Sequence, residues 1–362
     1  MKRIFALLIS LVILLSTSTS TWAVDIDDDL ASELDATYNN AYKKLVLEDG
    51  RKIQSYNKTE DEYRSVSDIP LQSENYEYTK NILANLGVGD VFINKLSNET
   101  LEKYSNAKNI ISVTTYSKTD VDGNAVILDE KTALSEVTAI KQAIELQSIE
   151  NTVSSRAIVP VDPGFGGGSY PRYYGDYTDE YMKINFVIAE LGDGYYHYSM
   201  DAEWLTEPIY RRNDSIGICV MNNTIINNTR SGWRSYEEWY AEYGIEIYEE
   251  KVYNFTSSDF ENCIEGSWNG SGVAFNLEDD NEIVKHKNFE FHYEFEAVIT
   301  QPDDSLYFNA TAAYSHLQIG IDWDPSLSIS TNGVDTTIGV DLVGYTNRRV
   351  AQLEEPIHYV PE

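Results

Sequence analysis

The feature that most constrains the fold of this chain is the segment at residues 289–300, FEFHYEFEAVIT, in which residue type alternates with period two. Aromatic and aliphatic residues occupy the odd positions, and Glu, His and Thr occupy the even ones, with Val298 as the exception. Successive side chains of a β-strand point to opposite faces. The pattern therefore predicts a strand with one buried aromatic face and one solvated acidic face.

Most of the chain after about residue 176 shows further short alternating runs separated by turn residues. The triplet Gly192-Asp193-Gly194 predicts a hairpin turn, and a change of parity between Tyr314 and Leu317 predicts a β-bulge near Ser315. Strands at this spacing without intervening helical patterns predict an antiparallel β-sandwich or open barrel of roughly eight to ten strands at residues 176–350.

Residues 24–150 carry mainly helical patterns. Apolar residues at helical spacing predict a helix at about residues 30–45 and a cluster of three short helices at residues 74–111, with Gly87 as a stop and Ser97 as a cap. A further helix is predicted at 132–147. Asp-Gly at 122–123 between two β-rich runs predicts a hairpin, because the alternative calcium loop lacks its glycine and its final glutamate. The fold class is thus α+β, with a helical N-terminal module before the β-sandwich.

Within this module, residues 86–110 read LGVGDVFINKLSNETLEKYSNAKNI. This stretch resembles a segment of exported Gram-positive bacterial proteins of unassigned function. The resemblance implies an export context and a helical N-terminal region. It implies no activity, since its pattern consists of helix caps and apolar stripes.

Residues 1–23 have the pattern of a secretory signal peptide. Lys2 and Arg3 precede an apolar run, and a Ser/Thr stretch then leads to Thr21-Trp22-Ala23, which predicts cleavage after Ala23. The alternative is an uncleaved N-terminal anchor. With the signal removed, no stretch approaches the roughly twenty apolar residues of a membrane span, so the predicted location is extracellular.

Glycine and proline concentrate at residues 151–175, which we interpret as a linker between the two parts, and residues 351–362 form a C-terminal tail. The glycine run is not followed by the Lys-Ser/Thr pair and helix of a phosphate-binding loop. It therefore predicts no nucleotide site.

The chain is strongly acidic, with 59 Asp and Glu against 27 Lys and Arg and a formal net charge of −32. Such a charge repels nucleic-acid phosphates, and no basic stripe offsets it, so nucleic acid is excluded as a partner. A halophilic origin is a competing explanation for the acidity.

The chain has two cysteines, Cys219 and Cys263. In an exported protein a disulfide between them is a reasonable prediction, and two buried thiols are the alternative. Two cysteines without neighbouring histidines do not predict a metal site, and no motif predicts a cofactor.

Catalytic motifs are absent from the sequence, and the five histidines are scattered along it. His197 and His292 lie on predicted strands and would form a site only if the fold brought them together with Cys219 or a carboxylate. Asp322 and Asp324 flank Trp323, and on a strand their carboxylates would share a face about 6.5–7 Å apart, near the spacing of paired acids in glycoside hydrolysis. The alternative is a solvated strand end.

Four tryptophans are candidates for a surface that stacks on a sugar or a protein partner: Trp233, Trp239, Trp268 and Trp323. The function predicted from the sequence is non-catalytic binding of a glycan or a protein. The alternatives are a secreted glycosidase-like hydrolase that uses Asp322 and Asp324, and a secreted toxin or antagonist. The oligomeric state is left open.

Overall fold

A computed structural model describes residues 42–58, 73–119, 125–153, 180–208, 211, 213–242, 245–265, 267–281, 283–299, 307–319, 327–332, 335–340, 345–352 and 357–358. The chain is mostly antiparallel β-sheet with few helices. The described helices are α1 (Ser73–Asn85), α2 (Asp90–Lys95), α3 (Asn98–Asn106) and α4 (Glu130–Val153). None of these helices is both long enough and apolar enough to cross a membrane.

The strands, in chain order, are β1 (Tyr42–Val46), β2 (Lys52–Asn57), β3 (Asn109–Thr119), β4 (Ala125–Leu128), β5 (Tyr181–Gly192), β6 (Tyr195–Trp204), β7 (Asn213–Met221), β8 (Asn223–Ile225), β9 (Ser231–Glu242), β10 (Ile245–Asn254), β11 (Phe260–Glu265), β12 (Trp268–Asn276), β13 (Val284–Ile299), β14 (Tyr307–Phe308), β15 (Ala310–Ile319), β16 (Leu327–Asn332), β17 (Asp335–Val340), β18 (Tyr345–Gln352) and β19 (Ile357–His358).

The larger sheet, sheet A, has the spatial order β1-β2-β3-β5-β6-β13-β9-β10, with β4 beside β3 and β8 beside β13. Every neighbouring pair is antiparallel. β3 pairs with β5 from Asn109–Glu190 to Lys118–Tyr181. The strands of the predicted N-terminal module therefore share one sheet with strands that follow the predicted linker, most of which lies outside the described residues.

The smaller sheet, sheet B, has the order β11-β12-β7-β15-β18 and packs on one face of sheet A. The odd positions of β13 point into this interface, as the alternation predicts, and they meet aromatic rings of sheet B. The Phe291 ring lies 4.9 Å from that of Phe275 and 5.2 Å from that of Tyr314. Burial of these rings against each other is the main hydrophobic stabilisation of the fold.

Helices α1 to α3 cover the opposite face of sheet A through a second apolar cluster that includes Leu83, Leu86, Phe92 and Leu101. The three short helices were predicted, and two of their boundaries are confirmed in detail. Gly87 follows α1 with φ +87°, and the Ser97 hydroxyl caps α3 by accepting the Thr100 N–H at 3.0 Å. The predicted hairpin at 192–194 is also formed, and β3 pairs with β4 on either side of residues 122–123, which lie outside the described residues.

Other predictions need correction. The predicted helix at 30–45 is wrong at its C-terminal end, where Tyr42–Val46 forms β1, because this segment pairs with β2 along its whole length. The bulge predicted near Ser315 lies slightly later, between Leu317 and Ile319. The predicted tail contains strand residues, since β18 extends to Gln352 and β19 pairs with β14.

Candidate functional site

The acidic face of β13 is covered by helices α2 and α3 instead of facing solvent as its alternation predicts. His292 and Glu294 are 4% and 5% exposed. Three contacts join a helix side chain to a glutamate of β13: Lys95–Glu290 at 3.0 Å, Thr100–Glu294 at 2.9 Å and Lys103–Glu296 at 2.9 Å. The prediction of a solvated face is wrong because these partners come from a distant part of the chain.

Beneath α3, two histidines converge with two carboxylates. His292 Nδ1 lies 2.7 Å from Asp201 Oδ1, and His292 Nε2 lies 3.2 Å from Glu294 Oε2. Burial alone lowers the pKa of His292, but the bonds to Asp201 and Glu294 outweigh it and raise that pKa to about 10. The His292 imidazole is therefore protonated at neutral pH and lies between two carboxyl groups.

His197 completes this group from β6. Its Nε2 lies 3.4 Å from Glu294 Oε2, and its ring packs edge-on against Tyr104 at 5.2 Å. Burial raises the pKa of Glu294, but the neighbouring His197 and His292 imidazoles outweigh it and hold that pKa well below its usual value. His197 and His292 thus do converge on a carboxylate, whereas Cys219 lies on sheet B, away from them.

A second group, with one histidine between two carboxyl groups, is buried beside the interface of the two sheets. His316 Nδ1 lies 2.8 Å from Asp214 Oδ1, and His316 Nε2 lies 3.5 Å from Glu180 Oε1. Asp214 also accepts a hydrogen bond from the Tyr314 hydroxyl. Burial lowers the pKa of His316, but Asp214 and Glu180 outweigh it and raise that pKa to about 9.

Both groups consist of side chains that are almost completely enclosed, and in each group one imidazole lies within 3.5 Å of two carboxyl groups. Within the described residues, no set of three or more His, Cys, Asp or Glu side chains has the geometry of a metal site. We assign both groups a structural role, because the close pairs His292–Asp201 and His316–Asp214 each join two neighbouring strands inside the protein.

The face of sheet A that helices α1–α3 cover is exposed at the end of the sheet formed by β9 and β10. The Trp239 and Tyr248 rings stack there at 4.9 Å with an interplanar angle of 20°. The Lys287 ammonium lies 4.5 Å from the Trp239 ring centre, and Trp239 Nε1 donates to Glu237 Oε2 at 2.7 Å. Tyr248 is 57% exposed. Tyr248 and the half-buried Trp239 form what we call the aromatic platform.

The aromatic platform stands at an edge of sheet A. β10 pairs with β9 along its whole length and is the last strand in the order, so within the described part of the chain nothing pairs with its outer edge. Its solvent-facing side chains combine apolar and acidic groups, namely Tyr248, Glu249, Glu250, Val252 and Tyr253. An unpaired strand edge of this length offers backbone donors and acceptors to an added strand.

The candidate tryptophans that the structure describes differ in how far their rings are exposed. Trp233 is 8% exposed and lies between the Phe92 and His292 rings, and Trp268 is 5% exposed. Neither offers a ring face to a ligand in solution. Trp239 alone of the described candidates lies in a partly exposed ring pair, and Trp323 lies outside the described residues together with Asp322 and Asp324.

The two cysteines lie on β7 and β11, which are separated by β12. Cys263 is opposite Gly270, and Gly270 is opposite Cys219. Two strand spacings amount to about 9.5 Å between backbone positions, whereas the Cα atoms of a disulfide are at most about 7 Å apart. The disulfide stays a prediction, and this register weighs against it.

A scan of protein-family models finds no match to this chain, and no curated protein matches it at a significant level. The candidate site is therefore defined by geometry alone. Trp239 was among the candidates from the sequence, whereas Tyr248 and Lys287 were not. The alternation of residues 245–248, Ile-Glu-Ile-Tyr, predicts a strand that carries Tyr248, and only the register shows that Trp239 lies opposite it.

Proposed function

We propose that this chain is an exported, non-catalytic binding protein that takes an extended segment of a protein partner along the edge strand β10. The observation that carries the proposal is the exposed stack of Tyr248 on Trp239 at an unpaired sheet edge. In strand addition, backbone hydrogen bonds supply affinity and alternate side chains supply specificity. Helices α1–α3 cover the middle of this face and α4 covers the part beside β3, while within the described residues the outer backbone edge of β10 is unpaired.

The aromatic platform is built to receive a side chain beside β10. Across the sheet the order is Lys287 on β13, Trp239 on β9 and Tyr248 on β10. One face of the Trp239 ring is thus covered by the Lys287 ammonium and the other by the Tyr248 ring. The face of Tyr248 that points away from Trp239 is exposed. A large, rigid aromatic surface that is already ordered loses little entropy on binding.

The charge along β10 indicates the charge of the segment that would bind there. β10 carries Glu246, Glu249 and Glu250 against one basic residue, Lys251. Acidic residues along an edge disfavour pairing with another acidic strand and favour a basic one. We therefore propose that the added segment alternates apolar and basic residues.

Selection from a library of random decapeptides displayed on phage, with the immobilised mature chain as target, tests this function. We expect enrichment of extended peptides with Lys or Arg at alternate positions. Tyr248→Ala should weaken binding of a selected peptide by about tenfold or more, the range of a central aromatic contact. Tyr195→Ala is the matched control, since Tyr195 is 42% exposed but begins the internal strand β6.

Two results would contradict the proposal. One is a selection without enrichment over the Tyr248→Ala protein, and the other is a selected peptide that binds both proteins equally. A glycan array run in parallel covers the alternative ligand, because carboxylates beside an aromatic ring also suit sugars. A glycan signal that Tyr248→Ala abolishes, without any selected peptide, would replace the protein partner with a glycan.

A further inference from the structure

The two edges of sheet A carry opposite charge. Among the described strands, β1 forms the edge opposite to β10 and has the sequence YKKLV, in which Lys43 and Lys44 are exposed. β10 has the sequence IEIYEEKVYN, in which Glu249 pairs with Lys251 at 2.8 Å and Glu250 with Lys95 at 2.5 Å, and its three glutamates still outnumber its one lysine. Like-charged edges repel each other, so pairing of β1 with β1 or of β10 with β10 is disfavoured, whereas pairing of β1 with β10 is favoured.

We infer that β1 of a second copy of this chain adds to β10, so that copies join head to tail through sheet A. This inference rests on the proposed function and names the partner. The eight strands from β1 to β10 alternate in direction, so β1 and β10 run antiparallel to each other. A second copy in the same orientation therefore continues the antiparallel sheet and keeps its helices on the same face.

The side-chain faces of the two strands define a register. Tyr42 lies opposite Tyr56 in the cluster beneath the helices, so even-numbered residues of β1 are on the helix side. Tyr248 lies opposite Trp239, which shares the face of the helix-covered Trp233, so even-numbered residues of β10 are on that side too. Residues placed opposite one another must then share parity, since opposite residues of an antiparallel pair share a face.

One register places both lysines among acidic residues. It pairs Lys43 with Glu249, Lys44 with Tyr248 and Leu45 with Ile247. Lys44 then lies opposite Tyr248 of the aromatic platform, and its diagonal neighbour, about 7–8 Å away in an antiparallel pair, is Glu250, which also binds Lys95. A shift of two residues in one direction instead sets Lys43 against Lys251, which is repulsive.

The net charge of −32 does not prevent this contact at physiological ionic strength. The screening length there is about 8 Å, so charges distributed over the rest of the two copies contribute little and the local pairs decide. A five-residue strand buries a small area, and we therefore expect weak association that is visible at roughly 0.01 to 1 mM protein.

Sedimentation velocity of the mature chain over this concentration range, with charge-reversed variants, tests the inference. The wild type should form a concentration-dependent series of oligomers, because a head-to-tail contact leaves an unused edge at each end. Lys43→Glu and Glu249→Lys should each remain monomeric. An equimolar mixture of these two variants, and the chain that carries both changes, should associate again.

Disulfide cross-linking between two copies tests the proposed register of β1 against β10. Opposite residues of an antiparallel pair have Cα atoms about 4.5–5.5 Å apart, within disulfide range. Leu45→Cys and Ile247→Cys chains that also carry Cys263→Ser, mixed under oxidising conditions, should give a reducible dimer, whereas Leu45→Cys mixed with Val126→Cys in the same background, at an exposed site on β4, should not.

The outcomes separate this inference from the proposed function. A wild type that stays monomeric up to about 1 mM, or an assembly that Lys43→Glu and Glu249→Lys leave unchanged, overturns the inference. If peptides are still selected at β10 and Tyr248→Ala abolishes their binding, the proposed function stands with a different protein as partner. If the chain assembles through its edges but selects no peptide, the edge is a contact between copies alone.

Discussion

Three histidines occupy the same arrangement, in which an aspartate lies on the Nδ1 side of the imidazole and a glutamate on the Nε2 side. In His292 and His316 the aspartate distances are 2.7 and 2.8 Å. In His286 the corresponding distances to Asp280 and Glu238 are longer, at 3.6 and 3.8 Å. The two buried groups are close enough to hold a proton in the folded state, so they link the stability of the fold to pH.

Stability should fall as pH rises from about 6.5 to 9. The pKa values of His292 and His316 are raised to about 10 and about 9, while an imidazole in the unfolded chain titrates near 6.5. The stabilisation is fully present below about pH 6.5 and is lost as pH rises through the folded-state values. Each histidine contributes a slope of about 1.4 kcal/mol per pH unit in this window, measurable by urea unfolding.

The variant His292→Gln isolates one of the two groups. It should lower the free energy of unfolding at pH 6.5 by about 3–5 kcal/mol, because Asp201 and Glu294 lose the cation between them. It should also halve the slope between pH 6.5 and 9. His286→Gln is the control, for which we expect a smaller loss in the free energy of unfolding because the carboxylates near His286 are farther away. A pH dependence identical to that of the wild type would show that His292 holds no extra proton.

At the scale of elements, β13 organises the molecule because both of its faces are buried. Its aromatic face meets sheet B, and its acidic face binds α2 and α3. Lys95 is central to the second contact. Its ammonium lies 3.0 Å from Glu290 Oε2, 2.8 Å from Ser235 Oγ and 2.5 Å from Glu250 Oε1, and it stands over the Trp233 ring. This one side chain ties α2 to three strands.

Lys95→Met should lower the free energy of unfolding by about 1–3 kcal/mol at pH 7, because it leaves the partly buried Glu290 without its cation. Burial raises the pKa of Glu290 and Lys95 opposes that rise. The loss should therefore shrink as pH falls toward 4, where Glu290 becomes neutral. Lys80→Met is the matched control, since Lys80 forms an exposed pair with Glu77 and should cost no more than about 0.5 kcal/mol.

Chemical denaturation of the two variants at pH 7 and pH 4 makes this comparison. Equal losses for Lys95→Met and Lys80→Met at pH 7 would mean that Lys95 is not a structural tie. A loss for Lys95→Met that persists at pH 4 would assign its effect to packing on Trp233 instead of to charge.

At the scale of the whole molecule, sequence predicted what depends on neighbours along the chain. The alternation of β13, the turn at residues 192–194, the Ser97 cap and the Gly87 stop are all local, and each is present. Alternation shows that a strand has two faces but not which partners cover them. The burial of Glu294 and the exposure of Tyr248 depend on elements up to about two hundred residues away, and no spacing encodes that.

The exposure of the candidate site residues also depends on elements that are distant in the sequence. Trp233 and Trp239 are six residues apart on one strand and share a face, yet the helices cover one and leave the other partly open. From the sequence, both tryptophans are equal candidates. Only the positions of α2 and α3 identify Trp239 and Tyr248 as the exposed end of that face.

Hydrogen–deuterium exchange of residues 245–254, with and without a saturating selected decapeptide, tests the central claim most directly. About half of the amides in an edge strand point away from its neighbour. We expect these outward-pointing amides of β10 to exchange more slowly with the peptide bound, while exchange in the internal strand β5 stays the same. Unchanged exchange across residues 245–254 at full occupancy would contradict strand addition at β10 and place the ligand elsewhere.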